Sequence, residues 1–156
     1  MSHEKLQNAL PGCRVLVTGG AGFMGSEVVR QLSSLNASVT VLDNFSSGKA
    51  EYVRGLDNIK VIKGDVCDRD TVAKTVKDNE FIIHMAALPF IPDCYYYPEE
   101  FFKVNVAGTV TVMLEAIKAE SVKRAIHISS SEVYGSARYV PMDENHPTLP
   151  YSTYAV

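Results

Sequence analysis

The chain has 156 residues, enough for one domain with a proper core and short for a two-domain enzyme. Its formal net charge of -3 supplies no basic excess for a nucleic-acid surface, and no apolar run approaches the roughly 20 residues of a membrane span. The N-terminal MSHEKLQNALPGC lacks the basic start and long apolar centre of a signal peptide, so the expected location is cytoplasmic, with neither a nucleic-acid nor a membrane partner.

Residues 1–12 read as a polar lead-in closed by Pro11 and Gly12. Val15, Leu16 and Val17 then form a short apolar strand, and the stretch VLVTGGAGFMGS runs from it through Gly19, Gly22 and Gly25 into a helix. Glycine there permits the sharp turn, lets the backbone approach a pyrophosphate and lets the helix lie close to the strand. Amides at the new helix's N-terminus face the anion. Phe23, Val28, Val29, Leu32 and Leu35 supply the stripe by which that helix covers a sheet, and Asn36 stops it.

Val39 to Leu42 is a second strand ending in Asp43, roughly 20 residues past the glycine turn, where a carboxylate accepts from a ribose diol and repels a 2′-phosphate. This spacing favours NAD over NADP; a solvated strand end or a helix cap is the alternative for Asp43. Asn44 to Lys49 is a polar loop suited to wrapping the adenosine ribose. Ile59 to Ile62 is a third strand, closed by Gly64, Asp65 and Val66 before a short helix over Asp68 to Val76. Asp65 and Val66 either flank an adenine ring or, for Asp65, cap the nearby helix.

Phe81 to His84 is a fourth strand, and the slender Met85, Ala86 and Ala87 leave room for a cofactor at its carboxyl end. His84 reads as a packed strand-end histidine, since no second ligand stands at metal spacing. Leu88 to Pro98 holds three prolines and four aromatic residues, a stiff loop that either lines a sugar pocket or covers the sheet edge. From Glu99 the periodicity is helical, with Phe102, Val106, Val110, Met113, Leu114 and Ile117 on one stripe. Gly108 within it costs about 1 kcal/mol relative to alanine, which implies a close neighbour. Arg124 to Ile128 is a fifth strand.

Strands and helices thus alternate throughout. Crossovers of this length demand parallel strands covered on both faces, giving an α/β doubly wound parallel sheet of the Rossmann type over residues 13–156. Ligands in such sheets bind beyond the strands' carboxyl ends, where Gly19, Asp43, Asp65, Ala86 and Ser129 gather. Ser129, Ser130, Ser131 and Glu132 follow the fifth strand, three hydroxyls and a carboxylate placed to hydrogen-bond and deprotonate an alcohol; a serine-rich helix cap is the plainer reading. Cys13, Cys67 and Cys94 form no CxxC pair, so free thiols are expected and neither a metal site nor a disulfide.

TGGAGFMGS, VLDNFSSG, GDV, HMAA, NVAGT, SSSEVYG and the terminal PYSTYAV, in that order, resemble the extended short-chain dehydrogenases, and among them the NAD-dependent nucleotide-sugar epimerase/dehydratase family. The likeness runs from Arg14 to the last residue. It implies a cofactor set that adds Phe23, Met24, Asn44, Ser47, Gly48 and Asn105 to the residues above. It also implies a nucleotide-diphosphate sugar substrate and a homodimer formed through long helices, one of them Pro98 to Glu120.

By the same resemblance Ser130 bonds the sugar 4-hydroxyl and Tyr154, opening a YxxxK motif, removes its proton, giving a 4-keto sugar. The motif's lysine would fall two positions beyond Val156, and the family's C-terminal half, with its sugar-nucleotide lobe, would follow. An ordinary tyrosine ionises near pH ~10 and needs that ammonium, so the 156 residues alone are expected to be inactive. Glu132 resembles the base of a 4,6-dehydratase, but Ser131 stands where dehydratases of dTDP-glucose have aspartate. A Ser-Glu pair looks like UDP-glucuronate decarboxylases and some dehydratases of N-acetylhexosamine nucleotides, and GSARYVPMDENHP resembles the latter. The reading leans to a 4,6-dehydratase, followed by a 4-epimerase and a decarboxylase; outside that chemistry stand a non-catalytic NAD-binding module and an ordinary alcohol dehydrogenase. Neither the nucleotide nor the hexose is fixed by these motifs.

Overall fold

A computed structural model describes residues 7–155, which leaves the first half of the lead-in and Val156 outside the described residues. The order is β1 (Arg14–Thr18), α1 (Phe23–Ser34), β2 (Ser38–Asp43), a 3-10 turn (Ala50–Val53), β3 (Ile59–Lys63), α2 (Arg69–Val76) and β4 (Phe81–His84). A helical turn (Ile91–Cys94), a long helix α3 (98–118), β5 (Arg124–His127) and a second 3-10 turn (Ser131–Tyr134) follow. The five strands lie in the order β3-β2-β1-β4-β5, all parallel, as the alternation of strand and helix requires.

The near-continuous apolar runs of β1 and β2 are those of strands buried on both faces. Val15, Val17, Val39 and Val41 point to one side and pack with Val29 and Leu32 of α1, while Leu16 and Leu42 point to the other and meet Val72 and Val76 of α2 and Val112 and Ala116 of α3. Leu10 and Cys13 pack against the first layer, so the end of the lead-in belongs to the core's rim. Asn36 ends α1 in the left-handed conformation at φ 59°, and the amides of Asn36 and Ala37 return to the carbonyls of Ser33 and Leu32 in a Schellman closure.

Two expectations about helix faces change. Phe23 is 89% exposed, because it stands at the helix mouth rather than on the sheet-covering face, which is carried by Gly25, Val29, Leu32 and Ser33. In α3 the bulky stripe of Phe102, Val110, Leu114 and Ile117 faces outward; the helix packs inward through Phe101, Gly108, Val112, Glu115 and Ala116. The reason is at Gly108, where an added Cβ would stand 2.8 Å from Val66 Cγ2, so the helix approaches the rest of the molecule along its small-residue side. α3 is α-helical at Pro98–Phe101 and Thr109–Lys118 and π-helical over Phe102–Gly108. β5 is an edge strand whose Ile126 is 48% exposed.

Candidate functional site

The glycine turn is forced by its neighbours. Gly19 has φ +67°, and a Cβ there would lie 2.8 Å from the Ala86 backbone; a Cβ on Gly25 would lie 2.1 Å from the Gly19 carbonyl oxygen. Only glycine lets β1, the loop after β4 and the start of α1 meet this closely. No side chain caps α1 at Gly22, so the first-turn amides remain available to an anion.

Asp43 is buried, 7% exposed, and is neither a solvated strand end nor a helix cap. Its Oδ2 accepts from the Ala21 amide at 2.9 Å and its Oδ1 from the Phe45 amide at 2.8 Å, while the Lys49 amide donates to the Ala21 carbonyl at 2.9 Å. The 43–49 loop is therefore hooked on both sides to the peptide of the phosphate turn, and Gly48 fits because its Cβ would crowd Asp43 Oδ1 at 2.9 Å. Each carboxylate oxygen retains a second lone pair for a ribose hydroxyl.

Asn44 donates to Asp65 Oδ2 at 3.1 Å, and Asp65 Oδ1 accepts from the Cys67 amide at 2.8 Å. Partial burial raises the Asp65 carboxyl, but these donors outweigh it and hold the group below the usual carboxylate range. The cap of α2 is Asp68, which accepts from the amides of Asp70 and Thr71, so Asp65 is released from that alternative. Burial and the Asp65 carboxylate push the Cys67 thiol up to about 11, which makes it an inert free thiol. Cys94 is fully buried; its carbonyl accepts from Thr153 Oγ1 at 3.0 Å, tying the Tyr154 segment to the helical turn.

These elements enclose a cleft of about 480 Å³ at the carboxyl ends of the strands. Gly19, Gly22, Phe23, Met24 and Gly25 line one wall; Asp43, Asn44, Ser47 and Val66 stand toward the far strands. Met85, Ala86 and Ala87 form the floor, and Ser129, Ser130 and Tyr154 close the other end. Ser131 and Glu132 lie on the exposed 3-10 turn outside the lining, and Ser130 Oγ caps that turn by accepting from the Glu132 amide at 3.3 Å. Gly48, Asp65 and Asn105 also lie outside it. Asn105 is spent on backbone: its Oδ1 accepts from the Leu88 amide at 2.8 Å and its Nδ2 donates to the Leu88 carbonyl at 3.2 Å. The aromatic loop sends Leu88 and Pro89 into the cleft, whereas Phe90, Tyr95, Tyr96 and Tyr97 are exposed and line none of it.

Sequence reasoning missed Leu42, Gly64, Val104 and Ile128 in the lining, while Ser46 lies in the loop it assigned to the ribose; Leu42, Gly64 and Ile128 follow a usable signal, the carboxyl end of a strand. It also missed His146, 3% exposed, whose Nε2 accepts from the Arg138 amide at 2.8 Å and whose ring meets those of Tyr134 and Tyr139. Tyr139 itself is a surface group bonded to Asp143 at 2.7 Å. Among the described residues no group of histidine, cysteine, aspartate or glutamate could hold a metal ion, and no helix is long and apolar enough to cross a membrane.

The family described as GDP-mannose 4,6 dehydratase matches residues 16–156. A dTDP-glucose 4,6-dehydratase from Streptomyces niveus is 38% identical over 152 residues, covering 91% of this chain and 45% of that protein. Among solved structures, the UDP-N-acetylglucosamine 4-epimerase of Methanobrevibacter ruminantium superposes with a TM-score of 0.87 at 34% identity, over 94% of this chain and 47% of that one. The dTDP-glucose 4,6-dehydratase DesIV of Streptomyces venezuelae, solved with NAD bound, superposes at 0.85 and 34%, over 91% and 47%. The chain spans about half the length of these relatives.

Proposed function

The chain belongs to the NAD-dependent nucleotide-sugar epimerases and dehydratases, the family that the GDP-mannose 4,6 dehydratase description covers, and on that premise we propose that it is the cofactor-holding part of an enzyme that oxidises the C4 hydroxyl of a nucleotide-diphosphate sugar to a 4-keto sugar. The observation that carries the reading is the lining of a single cleft by Ser130, Tyr154 and the glycine turn. The cradle suits NAD: it is walled by Gly19 and Gly25, whose Cβ atoms would collide with backbone, and a carboxylate lies beside it.

Bound NAD supplies the hydride acceptor. Gly19, Gly22 and Gly25, with Phe23 and Met24, hold the pyrophosphate; Asp43, Asn44, Ser47 and Gly48 hold the adenosine ribose; Asp65 and Val66 border the adenine; Met85, Ala86, Ala87 and Ser129 border the nicotinamide. Ser130 orients the sugar hydroxyl and Tyr154 takes its proton. Asn105 contributes by pinning Leu88 at the floor's edge.

Oxidation at C4 acidifies the C5 proton, because the carbanion delocalises into the new carbonyl. In a 4,6-dehydratase Glu132, flanked by Ser131, removes that proton, and the identity to dTDP-glucose 4,6-dehydratase supports this branch. A 4-epimerase needs no such base, and Glu132's position outside the cleft lining favours it as the second reading. A UDP-glucuronate decarboxylase is the third. The exposed stripe of Phe102, Val110, Leu114 and Ile117 supports pairing of two copies, and the proposed location is cytoplasmic.

Product analysis by NMR decides among the branches, using a longer protein made by extending this chain past Val156 with the family's C-terminal half, with NAD and dTDP- or UDP-sugars. A 4-keto-6-deoxy sugar supports the dehydratase, an inverted C4 hydroxyl the epimerase and a pentose the decarboxylase. NAD binding with no sugar product from any substrate refutes the enzyme reading in favour of a binding module. The 156 residues alone are expected to give no turnover; turnover equal to the longer protein's overturns that expectation.

A further inference from the structure

His84, the last residue of β4, is completely buried behind the cleft floor with both ring nitrogens in use. Nδ1 lies 2.6 Å from Thr18 Oγ1 and Nε2 lies 2.9 Å from Thr109 Oγ1. The direction of each bond follows from the far end of the row. The Asn105 carbonyl can only accept, so the Thr109 hydroxyl, 2.6 Å away, donates to it and its oxygen is left to accept Nε2–H. A neutral imidazole has one proton, so Nδ1 accepts from the Thr18 hydroxyl. The Thr18 oxygen then accepts the amides of Met85 and Ala86, each at 3.2 Å.

One proton arrangement thus satisfies every member of a row that runs from β1 through β4 to α3. The Thr18 end holds the cleft floor directly by taking the Met85 and Ala86 amides; the other end stops at the backbone carbonyl of Asn105, the residue whose side chain separately takes both polar groups of the Leu88 backbone. The floor's position matters because Gly19 packs directly on Ala86. A second proton on the ring would set Nδ1–H against Thr18 and break the row. Burial, with His127 alongside, holds the His84 pKa down at about 4. His127 is the titratable group that faces it from β5, stacked at 5.4 Å, while Thr18 of β1 and Thr109 of α3 present neutral hydroxyls.

We propose that His84 is a positioning residue, held as the neutral Nε2–H tautomer, that fixes the cleft floor from Met85 to Leu88 between β1 and α3 through Thr18 and Thr109. Its effect on NAD rests on the cofactor reading above; the strut itself is a property of the ligand-free protein and is read there.

Imidazole nitrogen NMR on the ligand-free chain is expected to find His84 neutral and protonated on Nε2 from pH 7 down to pH 5. A ring protonated on Nδ1, or charged at pH 6, overturns the proposal. Thr109→Val cuts the row without touching the ring or the cleft. It is expected to speed hydrogen exchange at the Ala86 and Leu88 amides about tenfold and to weaken NAD binding about tenfold; unchanged exchange overturns the strut. His84→Phe keeps the ring's bulk, and its NAD affinity is expected to match that of Thr109→Val, with the double variant no worse than either. A hundredfold loss in the double variant overturns action as one unit. If His84→Phe fails to fold, the tautomer and the Thr109→Val exchange still decide. If the unsubstituted chain binds no NAD, the cofactor reading falls and the exchange result alone judges the strut.

Discussion

Gly25→Ala is the sharpest test of the phosphate turn. The added Cβ would stand 2.1 Å from the Gly19 carbonyl oxygen and 2.9 Å from both Gly19 C and Gly20 Cα. All three are backbone atoms, so no side chain can swing aside. The turn and the helix must part by about 0.9 Å before they reach 3.0 Å, the closest approach that real Cβ atoms make. Overpacking of this kind costs about 1–3 kcal/mol, while alanine in a helix returns up to about 1 kcal/mol over glycine. A net loss of about 1–2 kcal/mol is expected in urea melts. Binding suffers more, because the atoms displaced are those that face the pyrophosphate, and at least a tenfold weaker NAD affinity is expected by calorimetric titration. If Gly25→Ala binds NAD within twofold of the unsubstituted chain, the close-approach argument fails.

Two further outcomes follow from the same geometry. Asp43→Asn presents an NH2 to one of two backbone donors, leaving the Ala21 or Phe45 amide unpaired at about 1–3 kcal/mol, and removes the charge that opposes a 2′-phosphate. NAD affinity should fall while preference over NADP narrows in parallel titrations, and an unchanged preference would refute the charge argument. Acid should also destabilise the fold in a window set by His84. Its folded pKa of about 4 lies below the ordinary 6.5, so the unfolded chain takes up the proton first and stability falls as pH drops through that interval. Linkage puts the loss at about 2 kcal/mol between pH 7 and pH 5. His84→Phe should flatten that slope in urea melts, and an unaltered slope assigns the loss to other groups. The lowered carboxyls of Glu115, held by Lys118 and Arg69, and of Asp65 act in a lower window, giving stability that disappears as pH falls below the carboxylate range.

The strands were legible because their signal is local. Phe81 to His84 matches β4 end to end, and the twofold burial of β1 and β2 follows from uninterrupted apolar runs. Asp43 was legible by its distance from the glycines, yet its hold on the Ala21 and Phe45 amides was not, since that depends on where a loop folds back. Asn105 illustrates the limit. A polar residue before a glycine in a helix gives no hint that both its amide groups will close on Leu88, 17 residues earlier. The apolar stripe of α3 was read correctly as a stripe, but periodicity cannot say which side meets the sheet, and Gly108 and Ala116 decided it by allowing closer approach.

The π-wound segment Phe102–Gly108 bears on the length of α3 rather than on its composition. Winding by i→i+5 bonds lets seven residues turn less than the ~100° per residue of an α-helix, so the segment works as a phase adjuster between the two α-helical ends. Phe101 before it and Val112 after it are both buried. Seven residues so wound turn about as far as six α-helical ones, ~600°, so the segment carries one residue more than an unbroken α ladder needs. Deleting a single residue there should therefore exchange π winding for α winding and leave Thr109 on His84 and Val112 in the core, whereas forcing α winding on all seven would turn everything downstream by about 100°. Length variation among relatives at this stretch should come as that one residue.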